Sequence, residues 1–181
     1  NAAGALTPRA INFAHDAASP LRMTQIVERT ILFADLRGST SLYESMGNAE
    51  ATAVVTQSVA LLARIVESMG GQVVKTLGDG LMAMFILPKA ALAAAEEMHD
   101  SMERIGGPGS SLPQPLKVQV ALASGEVVQM SGDVFGDAVN VAARMASLAK
   151  REQIISTAST LKLLTNAGML RTRSVGQARV A

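Results

Sequence analysis

The sequence contains no cysteine and no tryptophan. Without thiols it has no disulfides and no thiolate-ligated metal, a composition that suits a reducing compartment and leads us to expect the cytoplasm. Aromatic residues make up 3% of the chain, too few for a base-stacking platform on single-stranded nucleic acid. Charge of neither sign dominates: 16 basic against 15 acidic residues leave a net charge of +1, so nucleic acid is not an expected partner. No apolar run approaches the roughly 20 residues that span a bilayer. The stretch Ala90–Ala95 runs straight into Glu96 and Glu97. His15 and His99 have no companions at metal-ligand spacing, and neither a G-x-x-x-x-G-K-[ST] phosphate loop nor a G-x-S-x-G nucleophile turn occurs.

What is present fits one α+β domain. The 181 residues are 49% hydrophobic, much of it alanine, which suits helices packed closely on a sheet. Residues 1–27, with Gly4, Pro8 and Pro20, read as a linker, and 28–181 as the domain. The chain begins with Asn1, and we expect it to be part of a longer protein carrying a regulatory domain elsewhere. Thr30–Ala34 is a short buried strand. Apolar positions at Val55, Val59, Leu62, Val66 and Met69 predict a helix over 49–69. Strands at 72–77 and 81–85 flank the turn Gly78-Asp79-Gly80, and Pro88 opens an Ala-rich helix. Leu116–Ala123 and Glu126–Met130 are expected as two strands about a turn at Gly125, followed by a helix over 136–149. A strand at 153–156, a helix to about Asn166 with Gly168 beyond it, and an edge strand from Leu170 complete the expected order. Hairpins mixed with helices argue for helices on one face of a sheet rather than a doubly wound fold.

Asp35 ends the first strand beside Gly38-Ser39-Thr40, where a helix begins. Unpaired N–H groups at such a terminus suit phosphate, and an adjacent carboxylate suits a hard cation. Asp79 lies in ordinary Asp-Gly turn chemistry. If the first strand neighbours the hairpin, however, the two carboxylates converge, and a divalent cation would relieve their repulsion. Lys75 is the one charge in strand 72–77, and Asp133 sits in a glycine-flanked loop, Gly132–Gly136. Asn140 and Arg144, four apart, share a helix face that could clamp a phosphate and its sugar.

Three segments bring these residues together: Phe33-Ala34-Asp35-Leu36-Arg37-Gly38-Ser39-Thr40, Gly71–Gly80, and Gly132–Arg144. In this order, with the aspartates 44 residues apart, they resemble the class III adenylyl cyclases over about residues 29–181. The resemblance implies a ferredoxin-like βαββαβ core and active sites at the interface of a head-to-tail homodimer. It further implies two divalent ions, Mg²⁺ or Mn²⁺, bound by Asp35, Asp79 and the Leu36 carbonyl. The other chain would supply Lys75 and Asp133 to read the adenine of ATP, Asn140 to hold the ribose and Arg144 to stabilise the transition state. Adenine offers an acceptor at N1 and a donor at its 6-amino group, matching lysine and aspartate, whereas guanine reverses that pattern. The implied reaction is in-line attack of the ribose 3′-oxygen on the α-phosphate, giving cyclic AMP and diphosphate. The alternative is a cyclase-like nucleotide-binding module with little turnover. It is favoured by the tail, where alanine stands in place of a lysine that family members use on the triphosphate and Arg179 is the nearest substitute. The acidic Gly-Gly-Glu-Glu-Phe type turn of diguanylate cyclases is absent.

Overall fold

The apolar run around Thr30–Ala34 extends both ways into a 13-residue strand, β1 (Gln25–Arg37), whose first residues fall within the segment expected as linker. The computed structural model describes residues 24–150, 152–165 and 171–176. Two helices follow, α1 (Ser39–Met46) and α2 (Asn48–Ser68). The expected hairpin forms from β2 (Gln72–Thr76) and β3 (Gly80–Phe85). Helix α3 (Pro88–Gly106) has proline at its start, where the missing N–H costs nothing. Then come β4 (Lys117–Met130), β5 (Asp133–Phe135), α4 (Asp137–Leu148), β6 (Ile154–Ser156) and α5 (Ala158–Thr165).

The strands form one sheet in the order β2-β3-β1-β4-β5, each neighbouring pair antiparallel, with β6 joining β4 in parallel. The order β2-β3-β1-β4 is the ferredoxin-like core, and the α+β class stands. The sheet is covered differently from the expected single helical face. Leu32, Ala34, Leu36, Val118, Val120 and Leu122 pack with the buried faces of α2 and α3. Their strand neighbours Ile31, Ala121 and Ala123 point the other way and pack with Ala138, Ala142 and Met145 of α4. Both faces of β1 and β4 are therefore apolar, which is why these strands read as continuous hydrophobic runs.

Gly125 is not a turn. β4 runs unbroken through it, because the long β1 offers a partner at every position from Lys117↔Arg37 to Gln129↔Gln25. The turn comes six residues later, at Ser131 and Gly132, both left-handed (φ 55 and 83), the backbone that a two-residue hairpin loop demands. Helix α2 is long and apolar enough to cross a membrane by length and composition, although no such stretch was expected. Its Val55, Val59, Leu62 and Val66 are buried in the protein core, as in a core helix. Residues 171–176 form no strand, so the expected edge strand does not form there. Gly168, Ala178 and Arg179 lie outside the described residues.

Candidate active site

Asp35 stands two residues from the end of β1, opposite Gly80 of β3 on one side and Gln119 of β4 on the other. Strand alternation turns its side chain toward the face that α4 covers. The β2–β3 turn brings Asp79 alongside: the Leu36 N–H donates to the Asp79 carbonyl (2.9 Å), and the two carboxyls lie within hydrogen-bonding reach of each other. No Cβ fits at Gly80, because it would stand 2.4 Å from the Ala34 carbonyl oxygen. Ser39, the first residue of α1, donates its hydroxyl to Asp79 Oδ2 (2.8 Å).

Burial, followed by the neighbouring Asp79 charge, raises the Asp35 carboxyl above its ordinary range; the Arg37 guanidinium, 3.5 Å away, pulls in the opposite direction. Two carboxyls so placed, one of them resisting ionisation, form a donor set that a hard divalent cation would satisfy. Among the described residues no cluster of three or more His, Cys, Asp or Glu could hold a metal. Any cation here would have to complete its shell from further oxygens, such as backbone carbonyls, water and substrate. That is the habit of Mg²⁺, which uses one or two carboxylates plus phosphates.

A second pair forms at the two ends of the strand order. Lys75 of β2 donates to Asp133 Oδ2 of β5 (2.8 Å), closing the sheet on the α4 side. The hydrogen bond from Lys75, with a second from the Val134 N–H, holds the Asp133 carboxyl below its usual range. Asn140 and Arg144 lie one turn apart on the exposed side of α4. Neither side chain has a hydrogen-bond or ion-pair partner among the described residues, so both are available to a ligand. Within one chain, no hydrogen bond or ion pair among the described residues links the Asp35–Asp79 pair to Lys75–Asp133 or to Asn140 and Arg144. By these contacts the candidate residues fall into three groups: Asp35 with Asp79, Lys75 with Asp133, and Asn140 with Arg144 on α4.

Residues 21–181 match the family model described as the adenylate and guanylate cyclase catalytic domain. The chain belongs to this family. The cyclase domain is 33% identical over 132 residues to an uncharacterized protein of Mycobacterium tuberculosis, covering 73% of this chain and 33% of that one. It is 31% identical over 151 residues to an adenylate cyclase of Glutamicibacter nicotianae, covering 83% and 35%. It therefore spans about a third of the length of these relatives. A solved adenylate/guanylate cyclase/hydrolase from Silicibacter pomeroyi matches with a TM-score of 0.73 and 28% identity, over 87% of this chain and 91% of that one.

Two residues beside the candidate site were not anticipated from sequence, Gln119 and Arg37. Gln119 Nε2 donates to Asp35 Oδ2 (3.1 Å) and to the Ala146 carbonyl (2.8 Å). Its signal was there to be seen: one amide inside the apolar run Val118-Gln119-Val120. A polar group placed in a buried strand needs a partner.

Proposed function

We propose that this cyclase domain is an adenylyl cyclase, converting ATP to cyclic AMP and diphosphate at a site shared between two copies of the chain. The Lys75–Asp133 pair carries this choice: a donor and an acceptor stand 2.8 Å apart, the complement of the adenine N1 and 6-amino edge. Two divalent cations, Mg²⁺ or Mn²⁺, held by Asp35, Asp79 and the Leu36 carbonyl, would neutralise phosphate charge and acidify the ribose 3′-hydroxyl. Ser39 and Arg37 keep the two carboxyls in place. From the other protomer, Lys75 donates to N1, Asp133 accepts from the amino group and Asn140 fixes the ribose. Arg144 meets the charge that grows on the α-phosphate as the 3′-oxygen attacks in line and diphosphate leaves. A head-to-tail homodimer is the arrangement the family resemblance implies, and Asn140 and Arg144, exposed on α4 without side-chain partners among the described residues, could serve the site of a second copy. The cytoplasm, where ATP is made available, is the compartment proposed, and regulation is assigned to other parts of a longer protein.

Purified domain given ATP with Mn²⁺ or Mg²⁺ should form cyclic AMP, and Asp35→Ala should abolish it. Equal turnover of GTP would overturn the adenine assignment. Nucleotide binding without product would instead favour a binding module. Mixing Asp35→Ala with Arg144→Ala protein should restore activity through one intact site per heterodimer. No recovery despite subunit exchange would refute the shared site.

A further inference from the structure

Gln119 is 1% exposed, at the β4 position directly opposite Asp35. Its amide orientation is forced. Nε2 faces two acceptors, Asp35 Oδ2 and the Ala146 carbonyl, so a flipped amide would set Oε1 against both. The retained orientation leaves Oε1 buried with no hydrogen-bond partner. A buried orphan acceptor is costly, and the fold tolerates it where the two donated bonds matter more. Neither bond replaces one available locally. Ala146 lies in the last turn of α4, where carbonyls lack intrahelical donors. The Lys150 N–H that would ordinarily reach it donates to Gln153 Oε1 instead (3.0 Å).

We propose that Gln119 is a positioning residue that ties the Asp35 carboxyl to the C-terminal turn of α4, so that cation binding at Asp35 is transmitted to the helix bearing Asn140 and Arg144. The proposal rests on Asp35 being a metal ligand, as proposed above. A cation drawing on Asp35 changes the charge on the oxygen that Gln119 contacts. Because one NH₂ group serves both acceptors, any shift of Asp35 moves the donor of the α4 terminus. In a head-to-tail dimer the Asp35 of a protomer serves one site while its α4 serves the other. Gln119 would therefore join the two sites of the dimer through the body of each subunit.

The test compares wild type with Gln119→Met, which keeps the volume and removes both donors. Mn²⁺ is titrated in the presence of 3′-deoxy-ATP, which cannot cyclise. Bound Mn²⁺ is read by electron paramagnetic resonance, and amide exchange is followed in the last turn of α4. In wild type, saturating Mn²⁺ should slow exchange at Ala146–Ala149 relative to the nucleotide alone. Gln119→Met should bind Mn²⁺ roughly tenfold more weakly, as loss of an outer-shell partner does. At saturation it should show no Mn²⁺-dependent slowing. Slowing that persists in Gln119→Met overturns the proposal. So does its absence in wild type, a measurement that decides the matter even if the variant fails to fold. If wild type binds no Mn²⁺, or Asp35→Ala binds it equally well, the metal-ligand assignment fails and the transmission falls with it. If binding is normal and depends on Asp35 while α4 does not respond, only the transmission fails.

Discussion

Replacing Gly80 with alanine tests how tightly β3 must approach β1 beside Asp35. The added Cβ would sit 2.4 Å from the Ala34 carbonyl oxygen and 3.2 Å from Asp35 Cα. Both neighbours are backbone of a central strand, paired on its far side by β4, so neither can rotate away. Relief requires β1 and β3 to part by roughly 1 Å at Asp35. Overpacking of this kind costs about 1–3 kcal/mol, and with backbone on both sides the upper part of that range applies. Gly78→Ala is the matched control: φ is +71 but nothing lies within 4 Å of the new Cβ. Its cost is that of a left-handed backbone alone, about 1 kcal/mol. Urea unfolding with a common slope of about 2 kcal/mol/M should place the Gly80→Ala midpoint about 1 M below wild type and the Gly78→Ala midpoint about half as far. Equal midpoints for the two variants, or a Gly80→Ala cost below about 0.5 kcal/mol, would refute close strand approach as the reason for this glycine.

Three further outcomes follow from the same geometry. Lys75→Met removes an exposed ion pair and should change unfolding stability by less than about 1 kcal/mol, while raising KM for ATP about tenfold and narrowing the preference over GTP; kinetics on both nucleotides decide it. Arg144→Ala removes an exposed side chain, so thermal unfolding should not move, while kcat should fall about 10²-fold or more with little change in KM. The raised Asp35 carboxyl makes the metal-free fold bind a proton that the unfolded chain releases near its ordinary value of 3.8. Its contribution to stability is thus fully present below that value and is lost as pH rises through the folded-state pKa. In Asp35→Asn protein this part of the pH dependence should vanish from metal-free melting curves.

Much of the site could be anticipated because its residues sit at marked places in the chain. Asp35 ends an apolar run, Asp79 occupies a glycine turn, and Asn140 and Arg144 repeat at helical spacing; each signal is local. The convergence of Asp35 and Asp79 needed only β1 to lie beside the hairpin, and it does. What escaped prediction depends on partners distant in sequence. β4 passes through Gly125 because β1 is long enough to pair with all of it, a fact invisible within 117–130. The position of α4 on the opposite face follows from the alternate side chains of strands buried on both sides, where periodicity carries no sign of direction. Gln119 acquired its meaning only when Asp35 and Ala146, 84 and 27 residues away, closed around it.

Under the proposed function, the Lys75–Asp133 bond also changes what nucleobase selection would mean. In the free chain each group is already the other's ligand, so an arriving base enters an exchange rather than a vacancy. Adenine returns to the lysine an acceptor and to the aspartate a donor, leaving the count of hydrogen bonds undiminished. A base with the reversed edge forfeits the internal bond and gains two clashes of like polarity. The pair would then act as a competitor built into the subunit, one that every base must displace and whose loss only a base presenting both an acceptor and a donor would recover. Such a design would trade affinity for discrimination.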